Sequence, residues 1–145
     1  MGLHHLTWRV TASGLEDEEI IAEAISVLIG DEELVDIERT SSYHGSHIHL
    51  ISASTKRNKV AVNSLANLGS ECLDELIDTL DARLDESNTI HFRLSLDELM
   101  AGNVKIVESN VKSIKGYTKL EVYPGQSAKE EANKILNSAK NISKF

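Results

Sequence analysis

Leu6, Trp8, Val10 and Ala12 alternate with Thr7, Arg9 and Thr11, a two-residue period that lets a strand bury one side and leaves the other wet. The apolar side needs a covering layer, and later segments supply it at helical spacing. Ile20, Ile21, Ala24, Ile25 and Leu28 form one such stripe, Leu73, Leu76, Ile77 and Leu80 a second, and Ala132, Ile135, Leu136 and Ala139 a third.

Between these stripes lie further strand signals. Leu34 to Thr40 and His47 to Ser54 read as a hairpin whose turn holds Gly45, the residue free to take a positive φ. Thr89 to Leu94 reads as another strand, Val104 with Ile106 suggests a short one, and Gly116 to Tyr123 a last one. Ser13 with Glu16, Ser95 with Glu98 and Ser127 with Glu130 have the spacing of capping boxes, and Gly30 can close the first helix. Asn58 to Leu68 and Ser70 to Leu80 read as two helical segments broken at Gly69. Hairpins beside a few helices, without strict strand and helix alternation, predict an α+β fold: a two-layer sandwich of a mixed, mostly antiparallel sheet with helices packed on one face. At 145 residues this is one domain, with 125–145 as a C-terminal helical extension.

Cys72 is the only cysteine, which excludes an internal disulfide and a Cys-rich zinc site and favours a reducing compartment. No apolar run reaches the roughly 18 residues of a membrane span, and the first residues lack the apolar centre of a signal peptide, so a soluble cytoplasmic protein is expected. The net charge is −8, unevenly spread. Residues 1–55 hold two arginines against ten acids, whereas residues 101–145 hold eight lysines against four. The total argues against a nucleic-acid partner, but the basic end leaves room for one, beside the plainer reading of a solvated surface.

His44, His47 and His49 are half of the six histidines. On a strand His47 and His49 share a face and could serve one zinc, with His44, Asp36 or His91 as a third ligand only if the fold brings one close. The spacing supplies no complete ligand set, so exposed strand histidines are expected, with no metal and no other cofactor. Cys72, among Leu73, Leu76 and Ile77, reads as a small buried thiol. There is no nucleophile elbow, Gly-rich phosphate loop or HExxH motif, and no enzyme is expected.

The early strand, the helix opening Gly14-Leu15-Glu16-Asp17-Glu18-Glu19, the Tyr43-His44-Gly45 turn, the Arg83-Leu84-Asp85-Glu86 turn and the run from Phe92-Arg93-Leu94 to Ala101-Gly102 occur in an order that carries a resemblance. Across roughly residues 5–107 the chain resembles the archaeal family of RNA-binding proteins regarded as candidate exosome subunits. It departs from that family at the turn, where Ser42, Ser46 and His47 stand in place of Gly, Asn and Pro, and after Arg93, where Ser95-Leu96-Asp97 replaces an Asp-Lys-Gln run. The resemblance implies a fold similar to the 5S-rRNA-binding ribosomal protein of the large subunit. It also implies a non-catalytic RNA-binding role beside the exosome or in ribosomal RNA processing.

RNA recognition of that kind needs cations for phosphate and flat rings for bases. The candidates are Tyr43, His44 and Gly45 at the turn, Lys56, Arg57 and Lys59 after it, Arg93, and the late lysines Lys105, Lys112, Lys115 and Lys119. Arg93 could alternatively pair with Asp85 or Asp97, and Lys105, Lys115 and Lys119 share a face only if the intervening turn keeps register. The expected partners are structured or single-stranded RNA and exosome subunits, with no membrane; the oligomeric state stays open, a homodimer included. The rival reading is an acidic protein–protein adapter with no RNA affinity of its own, docking through Glu16 to Glu19 and the N-terminal half.

Overall fold

The alternating segment becomes the middle strand of a five-stranded sheet. The computed structural model describes residues 3–13, 17–41, 45, 47–108 and 112–143. In chain order the elements are β1 (Leu3–Ser13), α1 (Glu18–Ile29), a 3-10 turn (Glu32–Leu34), β2 (Val35–Ser41), β3 (His47–Thr55), α2 (Asn58–Ala66), α3 (Ser70–Asp78), α4 (Leu80–Arg83), β4 (Thr89–Ser95), α5 (Leu96–Met100), β5 (Ser113–Leu120) and α6 (Ala128–Ile142). The strand order is β2-β3-β1-β5-β4. Every pairing is antiparallel, so the sheet is not mixed. The helices between β3 and β4 carry the chain across to the far edge, and β5 then fills the place between β4 and β1.

Local chemistry explains most boundaries. Asp17 caps α1 by accepting from the backbone N–H groups of Glu19 and Ile20 at 3.1 and 3.2 Å, so the cap falls on Asp17 and not on Ser13. Glu16, the other half of the expected box, lies outside the described residues. Gly30 ends α1 at φ +83°, where its N–H bonds the Ser26 carbonyl at 2.8 Å. Ser95 caps α5 through Glu98 N–H, and Ser127 caps α6 through Glu130 N–H, as their spacing predicts. The expected strand around Val104 and Ile106 reduces to one bridge, Leu94 to Ile106, flanked by the bonds Ser95 N–H to Lys105 O and Val107 N–H to Arg93 O. This short segment shields the outer edge of β4. At the other edge β2 carries exposed Asp36, Glu38 and Arg39, charges that discourage edge-to-edge pairing.

One face of the sheet is covered by helices. Leu6, Trp8, Val10, Ile51, Ala53, Ile90, Phe92, Leu94, Ile114 and Leu120 are buried against Ile21, Ile25, Leu28, Leu65, Leu73, Leu76, Leu96, Ile135 and Leu136. Each fully buried aliphatic side chain contributes about 1.5–3 kcal/mol by leaving water. The buried residues of α6 are Ala132, Ile135, Leu136 and Ala139, so the terminal helix lends its apolar stripe to this same core.

The centre of this core is built around a missing side chain. Gly116 stands opposite Trp8 on one side and Phe92 on the other. The two rings meet edge to face across it, with centroids 5.2 Å apart. A Cβ on Gly116 would overlap Phe92 Cε2 and stand 2.5 Å from Trp8 Cζ3. The indole N–H of Trp8 donates to Ser64 Oγ at 2.8 Å, and Ser64 in turn donates to the Leu28 carbonyl at 2.6 Å. That two-bond relay ties β1, α2 and α1 together in a region without water access.

Candidate nucleic-acid interface

Among the described residues the other face of the sheet has no helical cover, and strand register decides what stands there. Cross-strand partners share a face. Arg9 pairs with Lys115, and Lys115 with Arg93, so three cations form one row across β1, β5 and β4. The next row holds Thr7, Tyr117 and His91, and the one beyond it His5, Lys119 and Thr89. Towards β2, Arg9 faces Ser52 and then Asp36.

Arg9, Lys115 and Lys119 are exposed and form no ion pair among the described residues. Arg93 is half-buried and donates to Ser113 Oγ at 3.4 Å. It pairs with neither Asp85 nor Asp97; Asp85 is taken by His91, whose Nε2 lies 2.7 Å from Asp85 Oδ2. That contact, followed by the Thr89 backbone N–H, holds the Asp85 carboxyl below its ordinary value.

Tyr117 lies at the centre of the rings. Its centroid is 6.0 Å from His5, edge to face, and 6.3 Å from His91, tilted. Two cavities open on either side of it. One of about 300 Å³ is lined by Arg83, Asp85, His91, Arg93, Glu108, Lys115 and Tyr117, and one of about 170 Å³ by Thr7, Arg9, Asp36, Glu38, Leu50 and Tyr117. A flat ring flanked by hollows and by a row of cations that form no ion pair among the described residues suits a base on the ring and phosphates on the row.

The expected site residues divide. Lys115 and Lys119 stand on this open face, Arg93 lies in its cationic row, and Lys105 extends it at the β4 edge, opposite Ser95. Lys112 precedes β5, one position off the parity of Lys115 and Lys119. Lys56, Arg57 and Lys59 join β3 to α2 at the end of the sheet where Leu6 meets Thr55, which is the His5 and Lys119 end. Gly45, at φ +83°, lies beyond the opposite end of β3, about 30 Å of strand away, so Gly45 and the basic cluster do not form one local site. Tyr43 and His44 lie outside the described residues. Arg9, Tyr117, His91 and His5 are not among the RNA-binding candidates the sequence offers, and His91 stands there only as a possible third metal ligand. The one signal for Arg9 was its place between Thr7 and Thr11 on the wet side of the first strand.

The histidines of β3 do other work. His49 is on the helix-facing side, 3.3 Å from Glu18, which also binds Arg39 at 2.8 Å. Among the described residues no group of three or more His, Cys, Asp or Glu side chains could hold a metal ion. Burial first, then the charges of Glu75 and Glu71, push the Cys72 thiol up from 9.0, so it stays protonated at neutral pH. No helix among the described residues is long and apolar enough to cross a membrane.

Comparison with known proteins agrees with this fold. The structure is similar to that of a DUF54 protein from Methanothermobacter thermautotrophicus, with 25% identity, 94% of this chain and 99% of that one covered, and a TM-score of 0.73. A DUF54 protein from Archaeglobus fulgidus shares the fold at 22% identity, 94% and 99% coverage and a TM-score of 0.73. So does a UPF0201 protein from Methanococcus jannaschii, at 13% identity, 91% and 98% coverage and a TM-score of 0.63. No curated protein matches. The family model described as RNA binding matches residues 5–120, a span that takes in all five strands from His5 onward, and the chain belongs to that RNA-binding family.

Proposed function

We propose that the protein is a non-catalytic RNA-binding protein that lays an RNA strand across the open face of its sheet. The observation that carries this is the row Arg9, Lys115, Arg93, three cations side by side with no carboxylate bound to them among the described residues. Like charges directly opposite on neighbouring strands are destabilising, and an anionic backbone relieves them. Phosphates lie along the row, and a base stacks on Tyr117 between the two cavities, with His5 and His91 beside it. Lys119, Lys56, Arg57 and Lys59 carry the basic path off one end of the face, and Lys105 and Lys112 continue it near β4. Tyr43, His44 and Gly45 remain candidates for a further contact. A role alongside the archaeal exosome or in ribosomal RNA processing is part of the same proposal, and it rests on the sequence resemblance alone.

The test is a fluorescence anisotropy titration with single-stranded and hairpin RNA across salt, comparing wild type with Arg9→Glu, Lys115→Glu and a distant control, Lys129→Glu on α6. Affinity is expected to fall with salt and with the two sheet variants, while the control binds like wild type. Absence of binding at low salt, or equal loss in all three variants, would remove the open face from consideration.

A further inference from the structure

The opposite side of the molecule carries a groove with unlike chemistry. It opens between α1, the start of α3 and the end of α5, with a volume of about 690 Å³. Ile20, Val27 and Met100 line it, and these are three of the five large hydrophobic side chains exposed among the described residues; Val27 is 68% exposed. Apolar side chains gathered along one groove, and not scattered singly, are the mark of a docking surface. The groove is firmly built. Asn67 Nδ2 donates to the carbonyls of Val27 and Leu28 at 3.3 and 3.1 Å, which fixes the end of α1 against α2.

Its charge selects the occupant. The charged side chains that line it are two glutamates, Glu23 on α1 and Glu71 on α3, and its lining among the described residues holds no lysine or arginine. Glu23 and Glu71 stand exposed at the lip. An acidic rim around an apolar floor is complementary to a helix with an apolar stripe flanked by lysine or arginine. Met100 supplies an adaptable side chain at the contact.

We infer that this groove docks a basic amphipathic helix of a partner protein, on the side of the molecule away from the open sheet face. The two surfaces differ in sign, so one chain can hold RNA on the sheet and a protein on the helices. The docking inference does not depend on the RNA reading, since no residue is shared.

The test uses the full chain and a fluorescein-labelled peptide of about 18 residues, long enough to be helical, with leucine on one face and lysine on the other. Two control peptides have the same composition scrambled, or glutamate in place of lysine. The amphipathic lysine peptide is expected to bind at least about tenfold more tightly than either control. Val27→Asp, and Glu23→Lys combined with Glu71→Lys, should each weaken it by about tenfold or more, while RNA binding by these variants stays unchanged. Bound peptide should also slow alkylation of Cys72, which lines the groove. Equal binding of the scrambled peptide, or variants that bind like wild type, would overturn the inference. Sedimentation showing a dimer that Val27→Asp converts to monomer would also overturn it, by giving the groove to a second copy of this chain.

Discussion

Arg9 on β1 stands directly across from Lys115 on β5, on the uncovered side of the sheet. Two like charges held in register oppose folding by roughly 0.2–1 kcal/mol, and Arg93 on the far side of Lys115 adds to the load. Lys115→Gln should therefore make the free protein slightly more stable in urea at low salt. The same variant should bind RNA more weakly and lower the salt dependence of binding by about one counterion. A variant that is both less stable and unchanged in RNA affinity would contradict this trade of stability for binding.

Tyr117 is the ring on which a base would rest. Tyr117→Ala should cost single-stranded RNA binding about 1–3 kcal/mol, while Tyr117→Phe, which keeps the ring, should bind nearly as well. Titration by anisotropy or by quenching of a base analogue distinguishes the two; equal losses would mean that the hydroxyl, not the ring face, is what matters.

Gly116 is required by packing. In Gly116→Ala the new methyl meets Phe92 and Trp8, both from neighbouring strands with no room to withdraw. Overpacking of this kind costs about 1–3 kcal/mol, sometimes more. The urea midpoint should drop, and Phe92→Leu in the same chain should restore part of the loss by vacating the space. Additive losses in the double variant would point to a backbone cause.

Ser64→Ala removes the acceptor of the buried Trp8 indole N–H and leaves the Leu28 carbonyl without that donor. That carbonyl keeps its bond from Asn67 Nδ2 at 3.1 Å, so one orphaned indole N–H in a dry core predicts destabilisation of about 1–3 kcal/mol, measured by denaturant unfolding with Trp8 fluorescence as the probe.

Acid stability should depend on His91. The His91 contact and the Thr89 and Ser87 N–H groups lower the pKa of Asp85 from 3.8, so the folded state binds this proton less readily than the unfolded chain does. The resulting stabilisation is complete above the ordinary value and is lost as pH falls below 3.8 through the folded one. His91→Gln should reduce the slope of unfolding midpoint against pH in that acid window, by lowering the midpoint above the window while leaving it nearly unchanged at the acid end, where the carboxyl is protonated in both chains. Identical slopes would show that the backbone donors alone hold the carboxylate.

Which of these features could be read along the chain depended on their range. The alternation at Leu6 to Ala12, the stripes of α1 and α6 and the caps at Ser95 and Ser127 are set by neighbours within a few residues, so composition and period were sufficient for them. The Val104 segment, read as a strand, is a single bridge because the chain leaves β4 after one pair of flanking hydrogen bonds. Arg93 was offered Asp85 and Asp97 as partners, but Asp85 faces His91 instead.

The cationic row was beyond local reading for a different reason. Arg9, Arg93 and Lys115 are separated by as many as 106 positions in the chain, and they meet only because β5 inserts between β1 and β4 in one register. A shift of one residue would turn Lys115 into the core and Gly116 outwards. That register is held by Trp8 and Phe92 closing over Gly116, on the side opposite the cations. Strand period is a local property that the order of residues carries by itself; which charges become neighbours across strands is decided by packing of the buried face.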